Sequence, residues 1–202
     1  MMAAEACLRH GRIFALAVVS VVAAAAPARA DGFITPYIGY NFGGDSANCQ
    51  TLTNCEEKHT NIGVSLASAS GIFGFEEDIG YATDFFASVP GTDNNVFTAM
   101  SNVMAGWFAG PVQPYLLAGV GLIRTHVSFN PATSGPETSN AFGYDLGGGV
   151  SGFVSRHLGF RGDLRHLHTF QDVAILHVGP INLVPDERLD FWRASIGLSL
   201  RF

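Results

Sequence analysis

The most reactive combination in the chain is a histidine and a serine two positions apart, His126 and Ser128. Because side chains alternate across a β-strand, both would lie on one face of a strand here. With a carboxylate such as Glu137 or Asp145 they could form a triad for acyl transfer, in which the histidine accepts the serine proton. Two such residues near the end of a strand are also frequent by chance, so the pattern favours a role other than catalysis.

A second pair with the same spacing is His166 and His168. Two histidines on one face of a strand can hold a metal ion. Such a pair is also typical of the polar, aromatic girdle of a membrane barrel. We favour the girdle, and we predict no metal site and no cofactor.

Arginines and carboxylates recur on the same face of several segments. A buried, isolated ion costs several kcal/mol, so such charges must pair, and the planar guanidinium suits carboxylates well. We therefore predict ion pairs centred on Arg161, Asp163 and Arg165, with Glu76 or Asp145 opposite them. The residues that we predict to form ion pairs on the shared inner face of these segments are Glu76, Asp78, Asp145, Arg161, Asp163, Arg165 and Arg193. A path for ions or protons is the alternative interpretation of these residues.

Eight segments of alternating apolar and polar residues must position these groups. They cover residues 32–42, 60–69, 72–85, 95–107, 112–128, 141–153, 158–170 and 189–202. Their connections are alternately long and short, which is typical of a transmembrane β-barrel with long outer loops and tight periplasmic turns.

The two faces of each segment support this interpretation. In the last one, apolar residues such as Ile196 and Leu198 alternate with Arg193 and other polar or small residues. A soluble barrel would also alternate, and it is the alternative fold. The chain has one lysine, Lys58, whereas soluble sheets use lysine on exposed strands and edges. Glu77 breaks the pattern, because it would face outward between two inward acids; a bulge or a shifted register is expected there.

Composition excludes several other classes. The net charge of −6 argues against a nucleic-acid binder. With 48% hydrophobic and 14% charged residues, the chain is too apolar for intrinsic disorder. After residue 30, no apolar run reaches the 18 or so residues of a spanning helix.

Residues 1–30 have the features of a secretory signal peptide. Arg9 and Arg12 precede an apolar stretch, and Ala28-Arg29-Ala30 forms an A-x-A cleavage site. Cleavage would change the net charge from −6 to −8, because the segment contains three arginines and one glutamate. The mature chain would keep two cysteines, Cys49 and Cys55, which in an oxidising compartment predict one disulfide. A metal site is the weaker alternative for these cysteines.

Several short motifs resemble the small outer-membrane β-barrels of Gram-negative bacteria, the OmpA/OmpX-like and opacity-type families. The matching segments are 35–40, 74–76, 113–121, 147–150 and 160–165, together with the C-terminal Phe202. The resemblance covers the mature chain. It implies that the assembly machinery recognises the last strand through Phe202. His126 and Ser128 also resemble the pair in outer-membrane lipid A deacylases, although Phe129 stands where those enzymes have asparagine.

We therefore predict an all-β, eight-stranded, antiparallel up-and-down transmembrane β-barrel over residues 31–202, preceded by the signal peptide 1–30. The expected role is structural, or surface interaction through extracellular loops, with a plugged lumen. An acyl hydrolase using His126 and Ser128 and a narrow solute channel are the alternatives. Expected partners are outer-membrane lipid, the barrel-assembly machinery and a host or surface ligand, with no nucleic acid. We expect a monomer in the outer membrane.

Overall fold

The computed structural model describes residues 30–46, 59–86, 92–129, 137–172, 177–178, 181–182 and 188–202. Within these residues the regular structure is entirely β, and the barrel occupies Asp31–Phe202. None of the described residues forms a helix that is long and apolar enough to cross a membrane.

Ten strands follow one another along the chain. They are β1 Asp31–Phe42, β2 Thr60–Ser70, β3 Phe73–Thr83, β4 Thr92–Gly106, β5 Val112–Phe129, β6 Glu137–Phe153, β7 Leu158–Asp172, β8 His177–Val178, β9 Ile181–Asn182 and β10 Arg188–Arg201. Eight of them form a closed barrel in the order β1-β10-β7-β6-β5-β4-β3-β2, and all neighbours are antiparallel. β8 and β9 form a separate two-stranded sheet between β7 and β10.

The two ends of the barrel differ in their connections. One end, the turn end, carries the short connections β2–β3, β4–β5 and β6–β7; the other, the loop end, carries the longer ones. The tightest turn is Gly71-Ile72, where Gly71 has φ +67°, a left-handed conformation that glycine adopts without steric cost. At the turn end the barrel closes through Gly32 and Phe202, whose backbones exchange two hydrogen bonds of 3.0 Å.

Side chains alternate strictly between the lumen and the outer surface. β3 is the clearest case, with every second residue buried from Gly74 to Ala82. The bulge or register shift expected at Glu77 is therefore wrong: β3 pairs without interruption with β2 and β4, and Glu77 lies on the outer surface. Among the described barrel pairings, the one register shift falls between Arg188 and Asp190 of β10.

The described side chains of the lumen form three layers. A central layer contains the charged residues described below. The layer at the loop end is apolar, and its buried members are Ala82, Phe85, Val96, Met100, Ile123, Ala141, Leu167, Leu189 and Phe191. At the turn end, two smaller apolar clusters contain Phe33, Ala69 and Phe153, and Met104, Tyr115 and Leu117. The outer surface is also apolar, as a membrane-spanning barrel requires: Ile196 is 75% exposed and Leu116 is 71% exposed.

Candidate functional site

Arg165 on β7 is the centre of the charged layer. Its Nη1 lies 2.8 Å from Oε1 of Glu76, and its Nη2 lies 3.2 Å from Oδ1 of Asp163. Asp78 and Asp145 each place a carboxylate oxygen 3.6 Å from Nη1. Because β3 lies across the barrel from β7, this one side chain links strands that are not neighbours. The guanidinium can do so because its nitrogens form a rigid fork.

Arg161, four residues earlier on β7, pairs with the same carboxylates from the turn-end side. It forms an ion pair with Glu76, and its Nε lies 2.9 Å from Oδ2 of Asp163. Nη1 donates to Oγ of Ser65 over 3.1 Å, and Nε donates to the hydroxyl of Tyr115 over 2.6 Å. The guanidinium also lies over the Tyr115 ring, 4.7 Å from its centroid.

Arg193 on β10 completes the layer by pairing with Asp78. Tyr37 of β1 donates to Oδ1 of the same aspartate over 3.2 Å, and its ring centroid lies 5.2 Å from the Arg193 guanidinium carbon. The structure thus brings together all seven residues predicted for the lumen. The sequence analysis did not predict that Tyr37 and Tyr115 would form hydrogen bonds in this layer. A tyrosine in an inward row of small residues could have indicated it, because a buried hydroxyl group needs a hydrogen-bond partner.

The layer contains one more carboxylate than guanidinium groups. Glu76, Asp78, Asp145 and Asp163 face three arginines, and all seven side chains are almost inaccessible to water. Asp145 is the least satisfied: neither oxygen has a hydrogen-bond partner among the described residues, and its nearest cation is Arg165.

Two spaces inside the described part of the barrel are small. One space beside Arg193 and Phe191 and another beside Tyr115 and Met104 each measure about 10 Å³. A single water molecule needs about 10–15 Å³. Each of these two spaces is therefore no larger than about one water molecule.

The hydrolase candidates lie at the loop end of β5. His126 and Ser128 share the outer face, but the imidazole Nδ1 of His126 forms its hydrogen bond with Oγ1 of Thr138, at 2.8 Å. Glu137 is paired with Val127 rather than with His126 in the β5–β6 ladder. Asp145 lies in the lumen, away from both. In this register neither Glu137 nor Asp145 shares the outer face with His126 and Ser128, so the triad expected from these residues is not assembled.

The second histidine pair lies on the outer face near the loop end. His166 Nε2 and His168 Nδ1 both contact Oδ2 of Asp190, at 2.8 and 2.9 Å. His166 packs against Trp192 with 4.9 Å between ring centroids, and His168 packs against Tyr144 at 5.4 Å. The two histidines therefore lie among an acidic and two aromatic side chains. Among the described residues, no group of three or more His, Cys, Asp or Glu is arranged to hold a metal ion.

Two other predicted features fall on residues that the structure does not describe. Cys49 and Cys55 lie in the undescribed part of the β1–β2 loop, and nearly all of the 1–30 segment lies outside the described ranges. Phe202 is described: it is 71% exposed and follows the last residue of β10.

Comparisons with known proteins agree with this architecture. A family model described as the outer membrane protein beta-barrel domain matches residues 14–202. The structure is similar to Neisserial surface protein A, with a TM-score of 0.58 and 15% identity over 84% of this chain and 95% of that one. It is similar to a major outer membrane protein from Thermus thermophilus, with a TM-score of 0.58 and 15% identity over 85% and 99%.

A third similar structure is Ail, the attachment invasion locus protein of Yersinia pestis, in complex with the heparin analogue sucrose octasulfate. It has a TM-score of 0.50 and 11% identity, over 87% of this chain and 100% of that one. At these identities the likeness concerns the fold alone. No curated protein sequence matches the chain.

Proposed function

This chain belongs to the outer membrane protein beta-barrel domain family, and from that premise we propose that it is a closed barrel that acts at the cell surface through its loops. The observation that supports this proposal is the charged layer of the lumen, in which ion pairs of Arg161, Arg165 and Arg193 lie between apolar clusters. A barrel of eight strands has an interior just wide enough for side chains to fill. The function of the protein would then depend on the loops at the loop end of the barrel.

The loops give this surface a distinct chemistry. Segments 43–59, 84–91, 130–136 and 173–187 contain six acidic residues and one basic residue, Lys58. In segment 173–187, eight of the fifteen residues are Val, Ile, Leu or Ala, and the β8–β9 pair lies within it. We propose that the partner is a protein surface that is both basic and apolar. The bound ligand in the similar Ail structure is a sulfated sugar, which the acidic loops of this chain would repel.

Two measurements test the proposal. Purified protein in planar bilayers should give no ion conductance. Cells displaying the protein should adhere to surfaces coated with a basic protein more than to heparin-coated surfaces. Replacing 173–187 by a Gly-Ser segment of equal length should abolish adhesion while heat-modifiable migration, the sign of an intact barrel, is kept. Steady conductance, or adhesion that survives the replacement, would contradict the proposal.

The route to the outer membrane forms a second part of the proposal. Cleavage after Ala30 would leave a mature protein beginning at Asp31, which is also the first residue of β1. N-terminal sequencing of protein from outer membranes should start at Asp31; a start at Met1 would contradict it. The assembly machinery would then recognise β10 and Phe202, so deletion of Phe202 should lower the yield of folded barrel.

We also propose that Cys49 and Cys55 form a disulfide in the first loop. The pair is six positions apart in an exported segment, where oxidation is favoured. Non-reduced mature protein should weigh about 2 Da less than reduced protein, one bond's worth of hydrogen. Two free thiols in freshly isolated protein would contradict this.

A further inference from the structure

Glu77 places a carboxyl group at the middle of the lipid-facing surface. It is exposed on β3, four residues from the aromatic Phe73 toward the turn end and four from Tyr81 toward the loop end. Strands of such barrels tilt by about 35–45° and rise about 3.3 Å per residue, so each aromatic side chain is about 10 Å away along the barrel axis. Aromatic residues flank the hydrocarbon band of such barrels, so we take Phe73 and Tyr81 as its limits on β3 and Glu77 as close to its centre.

The surroundings of Glu77 satisfy only part of its hydrogen-bonding capacity. Its neighbours along β3 on the same face are Phe75 and Ile79, both apolar and exposed. Its one hydrogen bond within the described residues comes from Oγ of Ser101 on β4, which donates to Oε2 over 2.7 Å. A serine hydroxyl has a single proton to donate, so Oε1 is left facing lipid. An ionisable residue at this depth is expensive, and such residues are usually functional.

The outer surface beside Glu77 has a complementary shape. On β4, the outward residues Ala99 and Ser101 are small, and they lie beside Ile79 and Glu77 of β3. The next outward residue toward the turn end, Val103, is larger and 51% exposed. The β3 row therefore forms a ridge, and the β4 row forms a short groove at Ala99 and Ser101 beside it. Small residues at a membrane interface let two backbones approach closely.

We propose that a second copy of this chain docks on the β3–β4 face, with the ridge of each copy in the groove of the other. A two-fold axis close to Glu77 makes such an interface self-complementary, as in most homodimers. The same axis brings the two Glu77 carboxyl groups together, where they can share one proton taken from water and hydrogen-bond to each other. This dimer would take the place of the monomer expected from the sequence.

A second copy can supply the partner that Glu77 lacks. Ser101 already donates its one proton to Oε2, so Oε1 is the atom without a partner, and a two-fold axis places the carboxyl group of the second Glu77, with the shared proton, beside it. The proposal concerns the wall of the barrel and does not depend on the loop-end function, so the two can fail independently.

Cysteine cross-linking in lipid vesicles tests the interface. In a Cys49→Ser, Cys55→Ser background, Ala99→Cys places a thiol in the groove. Ala194→Cys places one at a half-buried alanine on the outer face of β10, on the opposite wall. Oxidation should link the first variant into dimers and leave the second monomeric. Heat-modifiable migration of both variants verifies that the barrel has folded.

Substitution of Glu77 then tests its part in the association. Glu77→Gln keeps a group that both donates and accepts, so cross-linking through Ala99→Cys should persist. Glu77→Leu removes the polar contact and should lower the dimer yield about ten-fold. This is the size of effect expected for losing a hydrogen bond between two membrane-spanning segments in lipid. Equal cross-linking at positions 99 and 194, a purified protein that stays monomeric, or a Glu77→Leu variant that dimerises as well as the original would each overturn the proposal.

Discussion

Replacing Arg165 by methionine should be the most damaging single substitution in the charged layer. The side chain is 1% exposed and contacts four carboxylates, two of them within 3.2 Å. Methionine fills much of the same volume but removes the charge. The layer would then hold four carboxylates and two guanidinium groups in the same space, and Asp145 would lose its nearest cation.

The magnitude follows from the cost of leaving a buried charge without its partner, which is about 3–5 kcal/mol. For a protein whose free energy of unfolding falls by about 2 kcal/mol per molar urea, a loss of about 4 kcal/mol lowers the midpoint by about 2 M. Arg161→Met should cost less, because Glu76 would keep its 2.8 Å contact with Arg165.

A double-mutant cycle identifies the cause. Asp145→Asn keeps the shape of the side chain and removes one negative charge. In the Arg165→Met background it should recover about 1–3 kcal/mol, the range expected for coupled neighbours. The assay is urea unfolding of the protein in lipid vesicles, followed by the change in heat-modifiable migration. An unchanged midpoint in Arg165→Met, or strictly additive effects in the cycle, would refute the pairing of these charges.

Two further substitutions test the packing of the lumen. Tyr115→Phe should lower the free energy of unfolding by about 1–3 kcal/mol, because the hydroxyl contacts both Arg161 and Asp163 at 2.6 Å; an unchanged urea midpoint would contradict this. Gly149→Ala should cost about 1–3 kcal/mol, since its Cβ would lie 2.3 Å from the backbone oxygen of Gly162. The matched control Gly162→Ala, whose Cβ would have no neighbour closer than 4.0 Å, should be nearly neutral in the same assay; equal effects would mean that the two faces of this sheet are reversed.

The barrel could be predicted from the sequence because its walls repeat every two residues. The segment 32–42 corresponds to β1 at Asp31–Phe42, and 112–128 corresponds to β5 at Val112–Phe129. Strand starts were less accurate at the loop end: β6 begins at Glu137 rather than 141. Backbone pairing continues there beyond the region where the apolar pattern is visible. The β8–β9 pair was missed because two-residue strands have no periodicity to detect.

The contents of the lumen were only partly predictable. Alternation indicates that Arg161 and Arg165 face inward, but the register around the barrel decides which carboxylates they meet. Arg165 contacts both Glu76 and Asp145, which the sequence offered as alternatives. The inward apolar layer containing Phe191 and Met100 differs from the sequence prediction, which has polar or small residues along the whole inward face. Only the closed barrel brings these side chains together.

One physical rule distinguishes the arginines of the lumen from Glu77, the charged residue for which we propose a partner. A charge removed from water must be paired or must carry a large free-energy penalty. Arg161, Arg165 and Arg193 obey it within the chain, since each has a carboxylate within ion-pair distance. Glu77 does not, since a single hydroxyl contacts it on a surface that faces lipid. The alternation that places the arginines in the lumen also places Glu77 outside it, so the same pattern that accounts for the closed barrel identifies the position where a second molecule is needed.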